Sequence, residues 1–340
     1  MTFEEVLENA RGNMGPVCKA CPVCNGKACG NRMPGPGAKG SGTVAVKNYE
    51  EWQKVNLVMD TICENIPVDT AFELFGESFR LPVFAAPVGA LKLHYGDKYD
   101  DLQYNDILVS GCAKSGIAAF TGDGVNPKVM EGAVKAISAA NGKGIPTVKP
   151  WDVNTLKEKL DMIKGTGSLA VAMDIDAAGL PFLKGLTPPA GSKTVDELKE
   201  IVKSAGKPFI IKGIMSVKGA LKAKEAGAAG IVVSNHGGRV LDGCAPTASV
   251  LEEIKEAVGG SMKIFIDGGI RSGLDVFRAL ALGADAVLIG RPYVVALYGG
   301  NYDGIEAYTK KLQDELADAM AMCGAHSLKE ITRDMVSWEK

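Results

Sequence analysis

Three histidines occur in the sequence, and the position of one of them suits acid–base chemistry. His236 follows the apolar run 230–234 in the segment SNHGGR. An imidazole changes protonation near neutral pH, so at the end of a buried strand it can act as a general base that accepts a hydroxyl proton. His94 and His326 lack this setting, and we expect both to be structural or surface residues.

A lysine and two aspartates also lie at or just after the ends of apolar runs. Lys212 ends the run 208–212, and a cation there could stabilise negative charge on a reduced ring system. The alternative is a lysine that extends outward past the helices. Asp174 and Asp176 are two residues apart, so on a strand they share one face. Asp176 could then orient the imidazole of His236, with helix capping as its alternative role.

Two later segments combine glycine with arginine just before predicted helices. Gly268, Gly269 and Arg271 belong to DGGIR. Gly290 ends the last apolar run, and Arg291 follows it. Glycine lets backbone N–H groups approach an anion closely, and arginine adds bidentate charge, so these segments predict a phosphate site. The alternative is that they are turn glycines with solvated arginines.

Four of the eight cysteines lie close together near the start of the chain. Cys18, Cys21, Cys24 and Cys29 have the spacing C-x₂-C-x₂-C-x₄-C, which lets one loop surround a metal ion or a cluster. The spacing resembles ferredoxin-type ligation, although its last gap is longer than the common one. We expect a [4Fe–4S] cluster, with structural Zn²⁺ or free thiols as the alternatives.

The elements that position these residues follow a rhythm from residue 80 onward. Short apolar runs alternate with segments of helical period, and continuous apolarity indicates strands that are buried on both faces, as in a parallel sheet. The predicted strands are 82–86, 116–120, 145–149, 169–174, 208–212, 230–234, 263–267 and 286–290. The predicted helices between them include 128–140, 153–163, 195–204, 217–225, 248–258 and 273–282.

Eight strand–helix units predict an α/β fold of the (β/α)8 TIM barrel type, because closure leaves no sheet edge exposed. An open doubly wound sheet is the alternative, but PVGALKLHYGD after the first strand does not match the G-x-G-x-x-G fingerprint. In a barrel the carboxyl ends of all strands form one mouth, so the residues named above converge there. We expect 49–340 to form the barrel and 1–48 to form a Cys-rich N-terminal extension.

Composition and charge restrict the class of protein further. The chain has 340 residues, of which 46% are hydrophobic, so it can bury a sizeable core. Its formal net charge of −2 offers no basic field for a nucleic acid or an anionic membrane. No apolar run approaches the roughly 18 residues of a membrane span, and the acidic start MTFEEVLENA does not fit a secretion signal. We expect a cytoplasmic homo-oligomer with a small-molecule substrate, and neither nucleic acid nor membrane as a partner.

Two long segments resemble one enzyme family. SNHGGRVLDG (234–243) and IDGGIRSGLDVFRALALGADAVLIGRP (266–292) closely resemble the FMN-dependent 2-hydroxy acid oxidases and dehydrogenases, the family of glycolate oxidase and lactate oxidase. The strong similarity covers 208–292, and weaker similarity reaches back to PVFAAPVGA at 82–90. The resemblance implies an FMN cofactor and oxidation of a 2-hydroxy acid to a 2-oxo acid, with hydride transfer to flavin N5.

The family pattern also implies a role for each matching residue. His236 would be the base, Asp176 its partner, and Arg239 the group that holds the substrate carboxylate. Lys212 would lie near the N1–C2 edge of the flavin. The residues expected to bind FMN, including those after the first three strands, are Pro87, Val88, Gly89, Thr121, Lys149, Lys212, Ser234, His236, Arg239, Asp267, Gly268, Gly269, Arg271, Gly290 and Arg291.

The front half of the chain departs from the family. Lys149 and Trp151 stand where the family usually has a glutamine and a tyrosine, and 177–183 lacks the family's arginine, with Lys184 as a loose substitute. The cysteine loop replaces the family's N-terminal tyrosine segment, so we expect it to pack near the barrel mouth. If it holds an iron–sulfur cluster, the cluster could also carry electrons from FMN to a redox carrier. The alternatives are an FMN-dependent reductase or isomerase with another substrate, and a non-catalytic flavin-binding module.

Overall fold

The computed structural model describes residues 1–30, 33 and 35–338. Its strands are, in chain order, β1 (Val55–Leu57), β2 (Phe72–Leu74), β3 (Glu77–Phe79), β4 (Val83–Ala85), β5 (Ala118–Thr121), β6 (Gly144–Val148), β7 (Val171–Asp174), β8 (Phe209–Ile214), β9 (Gly230–Val233), β10 (Lys263–Ile266), β11 (Ala286–Ile289) and β12 (Val336–Trp338). Strands β4 to β11 are parallel and close into one barrel, in which β11 returns to pair with β4. Each of the eight predicted strands overlaps one barrel strand, so the predicted (β/α)8 TIM barrel is confirmed.

The helices surround this barrel. In chain order they are α1 (Phe3–Asn13), α2 (Val44–Trp52), α3 (Leu91–Tyr95), α4 (Asp101–Lys114), α5 (Pro127–Ala139), α6 (Val153–Lys164), α7 (Val195–Ala205), α8 (Val217–Glu225), α9 (Ala248–Val258), α10 (Gly273–Ala281) and α11 (Arg291–Met322). Helices α5 to α10 agree with the six predicted helices to within one residue at each end. No helix in the described part of the chain is both long and apolar enough to cross a bilayer.

Side chains at several helix N-termini explain where those helices begin. Thr2, Asp100, Thr194 and Ser272 each form a capping box, in which the side chain accepts a hydrogen bond from a backbone N–H in the first turn. Such caps satisfy N–H groups that the helix leaves unpaired. The box at Ser272 starts α10 directly after the glycine–arginine segment DGGIR, and so fixes the end of that segment.

Aromatic rings fill the interior of the barrel around Phe84. The Phe84 ring centroid lies 5.1 Å from that of Phe79 on the β2–β3 hairpin, 5.8 Å from Phe265 and 6.0 Å from Phe120, all edge-to-face. Val83, the preceding residue, packs instead in the layer between strands and helices. Both faces of the strand are therefore buried, which explains the continuous apolar runs in the sequence.

The N-terminal helices pack onto the barrel. A Cβ on Gly299 of α11 would lie 2.0 Å from the carbonyl oxygen of Val6, so α1 and α11 cross in close contact. Helix α2 spans the boundary expected at residue 48, and its Trp52 is fully buried and donates from Nε1 to the Gly268 carbonyl at 2.8 Å. Helix α2 thus forms part of the wall of the barrel mouth.

We predict that Phe84→Ala lowers the free energy of unfolding by about 3–5 kcal/mol, because it removes a fully buried ring and leaves a cavity. Phe182→Ala is the control: Phe182 is 49% exposed, and its truncation should change stability by about 0.5 kcal/mol or less. Urea unfolding at equal cofactor content measures both. Equal effects of the two variants would show that the interior does not depend on the Phe84 cluster.

Candidate active site

A cleft opens at the carboxyl ends of the barrel strands. The predicted site residues that line it are Pro87, Val88, Gly89, Lys212, His236, Arg239, Asp267, Gly268, Gly269, Arg271, Gly290 and Arg291. Pro36, His94 and Tyr95 line it as well. Four predicted residues, Thr121, Lys149, Asp176 and Ser234, lie outside this lining. The structure therefore brings most of the predicted residues together at one mouth.

The backbone of His236 is held in a conformation that side chains rarely adopt. Its φ is +54°, in the left-handed region that costs free energy for residues other than glycine. The Ser234 Oγ accepts from the His236 N–H at 3.1 Å, and the Asn235 side chain accepts from the Gly237 N–H at 3.1 Å. These bonds stabilise the strained turn and direct the imidazole into the cleft.

The imidazole of His236 pairs with Asp176. The distance from Nδ1 to Oδ1 of Asp176 is 3.0 Å, and both side chains are largely buried. Asp176 belongs to a short 3₁₀ turn, Ile175–Gly179, directly after β7. A carboxylate accepts hydrogen bonds only, so this contact places the proton of the neutral ring on Nδ1. The predicted orientation of His236 by Asp176 therefore has the geometry it requires.

Gly213 makes room for that carboxylate. Its φ is +104°, and a Cβ at this position would lie 2.4 Å from Cγ of Asp176. Gly213 is also the extra residue of a bulge in β8, since Lys212 pairs with Val232 while Ile214 pairs with Val233. A bulge re-aims the neighbouring side chain, which here is Lys212 at the mouth.

Lys212 is buried among carboxylates. Its Nζ lies 3.2 Å from Oδ1 of Asp174, its direct neighbour on β7, and 3.6 Å from Oδ2 of Asp267. Burial opposes the lysine charge, but these carboxylates and that of Asp176 outweigh it and raise the pKa of Lys212. Burial likewise opposes ionisation of Asp174, yet Lys212, His236 and Lys149 lower its pKa. The pair is thus ionised, with a fixed cation facing the cleft.

The two residues that depart from the family pattern lie behind the mouth. Lys149 directs Nζ towards Asp174, at 3.7 Å. Trp151 donates from Nε1 to Asp123 at 2.6 Å, and the same buried carboxylate pairs with Lys159 at 2.8 Å. Lys149 and Trp151 therefore contact buried aspartates beneath the mouth and do not line the cleft.

The glycines after β10 allow helix α2 to approach the strand ends. Gly268 and Gly269 have φ values of +88° and +89°. A Cβ on Gly268 would lie 2.8 Å from the Asn48 side chain, and one on Gly269 would lie 2.2 Å from the Asn48 carbonyl oxygen. A side chain at either glycine would therefore collide with helix α2, so glycine is needed here for packing as well as for the close approach of an anion.

Arg271 retains a donor for an anion. Its Nε donates to the Cys24 carbonyl and its Nη1 to the Ile270 carbonyl, each at 2.6 Å. Its buried Nη2 has no hydrogen-bond partner among the described residues, a state that costs free energy until an acceptor is supplied. Gly290 and Arg291 line the same cleft as Arg271, and this donor set fits the phosphate of FMN.

The cysteine loop lies against the same two arginines. Cys18, Cys21, Cys24 and Cys29 line one small cavity together with Arg291. Burial raises the pKa of Cys18 to about 11 and also raises that of Cys21. Desolvation opposes ionisation of Cys24 too, but Arg271 and Arg291 outweigh it and lower its pKa. The loop packs at the barrel mouth, as expected, at the end of the cleft where the phosphate donors lie.

Arg239 is held by the N-terminal segment and contacts His94. Its Nη1 donates to the carbonyl oxygens of Gly35 and Gly37, at 2.8 and 3.0 Å. Its Nη2 lies 2.8 Å from Nε2 of His94, and the Gly35 N–H donates to Nδ1 of the same ring at 2.9 Å. Burial and Arg239 lower the pKa of His94 to about 4. The sequence suggests a structural or surface role for His94, but the structure places it in the cleft.

Sequence reasoning missed His94, Tyr95 and the α2 residue Asn48. Asn48 exchanges two amide hydrogen bonds of 2.8 Å with Asn235, the residue before His236. The available signal for His94 was its position soon after the first predicted strand. Nothing in the local sequence indicates that Asn48 contacts a residue 187 positions away.

We predict that acidification destabilises the protein through His94. In the unfolded chain the imidazole has its ordinary pKa of 6.5, whereas in the folded protein the pKa is about 4. Between these values the unfolded state binds a proton that the folded state does not, so stability falls as the pH falls from 6.5 towards 4. His94→Gln removes this contribution.

The measurement is the change in the free energy of unfolding between pH 7 and pH 5. It should be smaller in His94→Gln than in the wild type, and it should persist in the control His326→Gln, which leaves the cleft intact. If wild type and His94→Gln lose the same stability, His94 is not the group that titrates.

Comparison with known proteins agrees with this architecture. A family model described as FMN-dependent dehydrogenase matches residues 36–183 and 186–338. A 4-hydroxymandelate oxidase of Amycolatopsis orientalis is 30% identical over 332 residues, covering 86% of this chain and 89% of that protein. An L-lactate dehydrogenase of Xanthomonas campestris pv. campestris is 52% identical over 130 residues, covering 38% of this chain and 34% of that protein.

A solved structure matches nearly the whole chain. The crystal structure of mandelate oxidase with (S)-2-phenylpropionate has a TM-score of 0.79 and 26% identity, covering 99% of this chain and 98% of that one. The family match begins at residue 36, after the cysteine loop, and ends at residue 338. The chain belongs to the family of FMN-dependent 2-hydroxy acid oxidases and dehydrogenases and is an FMN-dependent oxidoreductase.

Proposed function

We propose that this protein oxidises a 2-hydroxy acid to the corresponding 2-oxo acid, with His236 as the base. The observation that carries the proposal is an imidazole paired with a carboxylate, in one cleft with the guanidinium of Arg239. The reaction removes a proton from the hydroxyl group and a hydride from C2. FMN, when bound, supplies the two-electron acceptor. Two relatives are named for hydroxy acids, 4-hydroxymandelate and L-lactate, which supports this substrate class.

His236 and Asp176 would handle the proton. Because Nδ1–H donates to Asp176 at 3.0 Å, the lone pair on Nε2 is available to accept the hydroxyl proton. The resulting imidazolium is stabilised by the same carboxylate, which lies in a largely buried place where charge pairs interact strongly. The strained backbone of His236 keeps the ring at this position.

Two cations would complete the site. Arg239 would bind the substrate carboxylate, because a guanidinium pairs with a carboxylate through parallel N–H donors. Lys212, fixed by buried carboxylates, would stabilise negative charge on the reduced cofactor. Arg271 and Arg291 would hold the phosphate at the other end of the cleft. The segment 87–89 would contact the ring system.

We predict that His236→Ala retains FMN but slows substrate-dependent reduction of the flavin by about 10²- to 10⁴-fold, the usual contribution of a positioned base. Stopped-flow measurement of flavin absorbance under anaerobic conditions gives this rate. His326→Ala, a substitution outside the cleft, should reduce at the wild-type rate. Unchanged reduction in His236→Ala would remove this residue from the mechanism.

The substrate class is tested by the same readout. Wild-type protein is mixed anaerobically with panels of 2-hydroxy acids, enoates and prenyl diphosphates. Bleaching of the oxidised flavin by hydroxy acids supports the proposal. Reoxidation of chemically reduced flavin by enoates, or turnover of prenyl diphosphates without bleaching by hydroxy acids, would favour the reductase or isomerase alternative.

We propose further that the cysteine loop holds a [4Fe–4S] cluster. The four cysteine side chains line one cavity. Burial is the main cause that raises the pKa of Cys18 and Cys21, and the neighbouring thiols raise it further, so the thiols lie close enough to interact electrostatically. The loop lacks helix and strand among the described residues between α1 and α2. A ligand bound by thiolates would supply folding free energy to such a segment.

The spacing of the four cysteines favours a cluster over zinc, because C-x₂-C-x₂-C-x₄-C resembles ferredoxin-type ligation. A one-electron centre beside FMN would pass electrons to a redox carrier. The carrier and the homo-oligomeric state remain predictions.

We predict about four iron atoms per chain in protein purified without oxygen, as a [4Fe–4S] cluster requires. Cys21→Ser/Cys24→Ser should lose the iron and slow turnover with ferricyanide, while hydroxy acids still reduce its FMN. The control is Cys63→Ser, since Cys63 is exposed and lies outside the loop. About one zinc per chain would indicate a structural role for the metal in place of a redox role. If the double variant keeps the metal content and turnover of the wild type, the cysteines do not bind the metal and are free thiols.

A further inference from the structure

Two hydrogen-bond donors face each other in the cleft, one on Arg239 and one on His94. The Gly35 N–H donates to Nδ1 of His94 at 2.9 Å. A backbone amide can only donate, so Nδ1 is the acceptor and the proton of the neutral ring is on Nε2. Nε2 lies 2.8 Å from Nη2 of Arg239, and a guanidinium also only donates. The contact therefore joins two N–H groups without an acceptor between them.

The other tautomer does not remove the conflict. With the proton on Nδ1, that N–H would oppose the Gly35 N–H instead. The Gly35 contact is buried within the protein, so no ligand can provide an acceptor there. Nε2 and the Arg239 guanidinium, by contrast, belong to residues that line the cleft. An acceptor can approach only on the Nε2 side.

The geometry points to His94 as a substrate-binding residue that, with Arg239, holds the carboxylate of the hydroxy acid. A carboxylate accepts hydrogen bonds through two oxygens. It also carries a negative charge, and none of the contacts of Arg239 given above is with a negatively charged group. This inference rests on the proposed oxidation of a 2-hydroxy acid and adds a second donor for its carboxylate.

The bonds of Arg239 leave a suitable edge for this ligand. Of its five N–H groups, the two on Nη1 are occupied by the carbonyl oxygens of Gly35 and Gly37. These bonds fix the plane of the guanidinium against the N-terminal segment. Nε and Nη2 share the other edge of the guanidinium and would present parallel donors to a carboxylate, and the Nε2–H of His94, 2.8 Å from Nη2, would add a third. A carboxylate there would receive three donors from two residues.

The donor on His94 is a neutral imidazole, which determines how carboxylate binding depends on pH. Burial and Arg239 hold the pKa of His94 at about 4, so its donor is present and unchanged across the neutral range. Among the described residues, Tyr95 is a further titratable group beside the ring; its ring centroid lies 6.3 Å away and burial raises its pKa. Carboxylate affinity should therefore not change between pH 5.5 and 8 through this residue.

The test uses 2-hydroxy-2-methylpropanoate, which lacks a C2 hydrogen and cannot be oxidised, with its neutral amide as the control ligand. Binding to the FMN-loaded protein is followed by the change in flavin absorbance. His94→Phe should weaken binding of the acid by about 10- to 100-fold, the loss expected for a hydrogen bond to a charged group. Binding of the amide should change by less than about threefold, and FMN content should not change.

Steady-state kinetics separate binding from a structural effect. With an oxidisable 2-hydroxy acid, His94→Phe should raise KM by a similar factor and leave the limiting rate of flavin reduction within about threefold. His94→Gln keeps an N–H donor at the same reach and should restore most of the affinity. A His94→Phe protein that binds the acid as tightly as the wild type would overturn the assignment.

A measurement on the wild type covers the case in which His94→Phe does not fold. The chain has three histidines, so ¹⁵N labelling of the imidazoles gives few signals. We expect the Nε2–H tautomer for His94 and a shift of its Nε2 proton when the acid is added. An Nδ1–H tautomer in the complex, or no shift, would overturn the inference. If no hydroxy acid reduces the wild-type flavin, the proposed function fails as well.

Discussion

The hydrogen bonds that close β11 onto β4 set the positions of all the groups in the cleft. Closure brings the carboxyl ends of the first and last barrel strands together, so Arg291 and the segment 87–89 line one cleft. Residues distant in sequence then meet at the mouth: Asp176 and His236 are 60 positions apart, and His94 and Arg239 are 145. The rigid interior around Phe84 allows these contacts to be held at hydrogen-bond distance.

The N-terminal segment belongs to the site and is not a separate module. Its carbonyl oxygens at Gly35 and Gly37 orient Arg239, and Asn48 binds Asn235, the residue before His236. A Cβ on Gly238 would lie 2.7 Å from Val44 of α2. Glycine is thus required at the mouth for two reasons. It leaves room for helix α2 to approach closely, and it allows the backbone conformation of the turns that carry the functional side chains.

Sequence reasoning found the barrel because each strand has both faces buried and therefore reads as one apolar run, as Val83 and Phe84 illustrate. It found His236, Asp176 and Lys212 because these lie at or just after the ends of such runs. It could not find the pairing of His94 with Arg239, because that pairing depends on Gly35, which lies 59 positions before His94 in a turn-rich segment. The boundary expected at residue 48 falls inside α2 for the same reason, since local composition does not show where a helix docks.

Arg271 and Arg291 lower the pKa of the Cys24 thiol, and the same two arginines would hold the phosphate of FMN, so an ionised Cys24 and the phosphate would share them. Two anions that draw on one pair of cations weaken each other, and thermodynamic linkage makes that weakening equal in both directions. Bound phosphate raises the affinity of Cys24 for a proton, and a thiolate at Cys24 loosens the hold on phosphate. Retention of the cofactor and the ionisation of a single sulfur atom are therefore coupled equilibria.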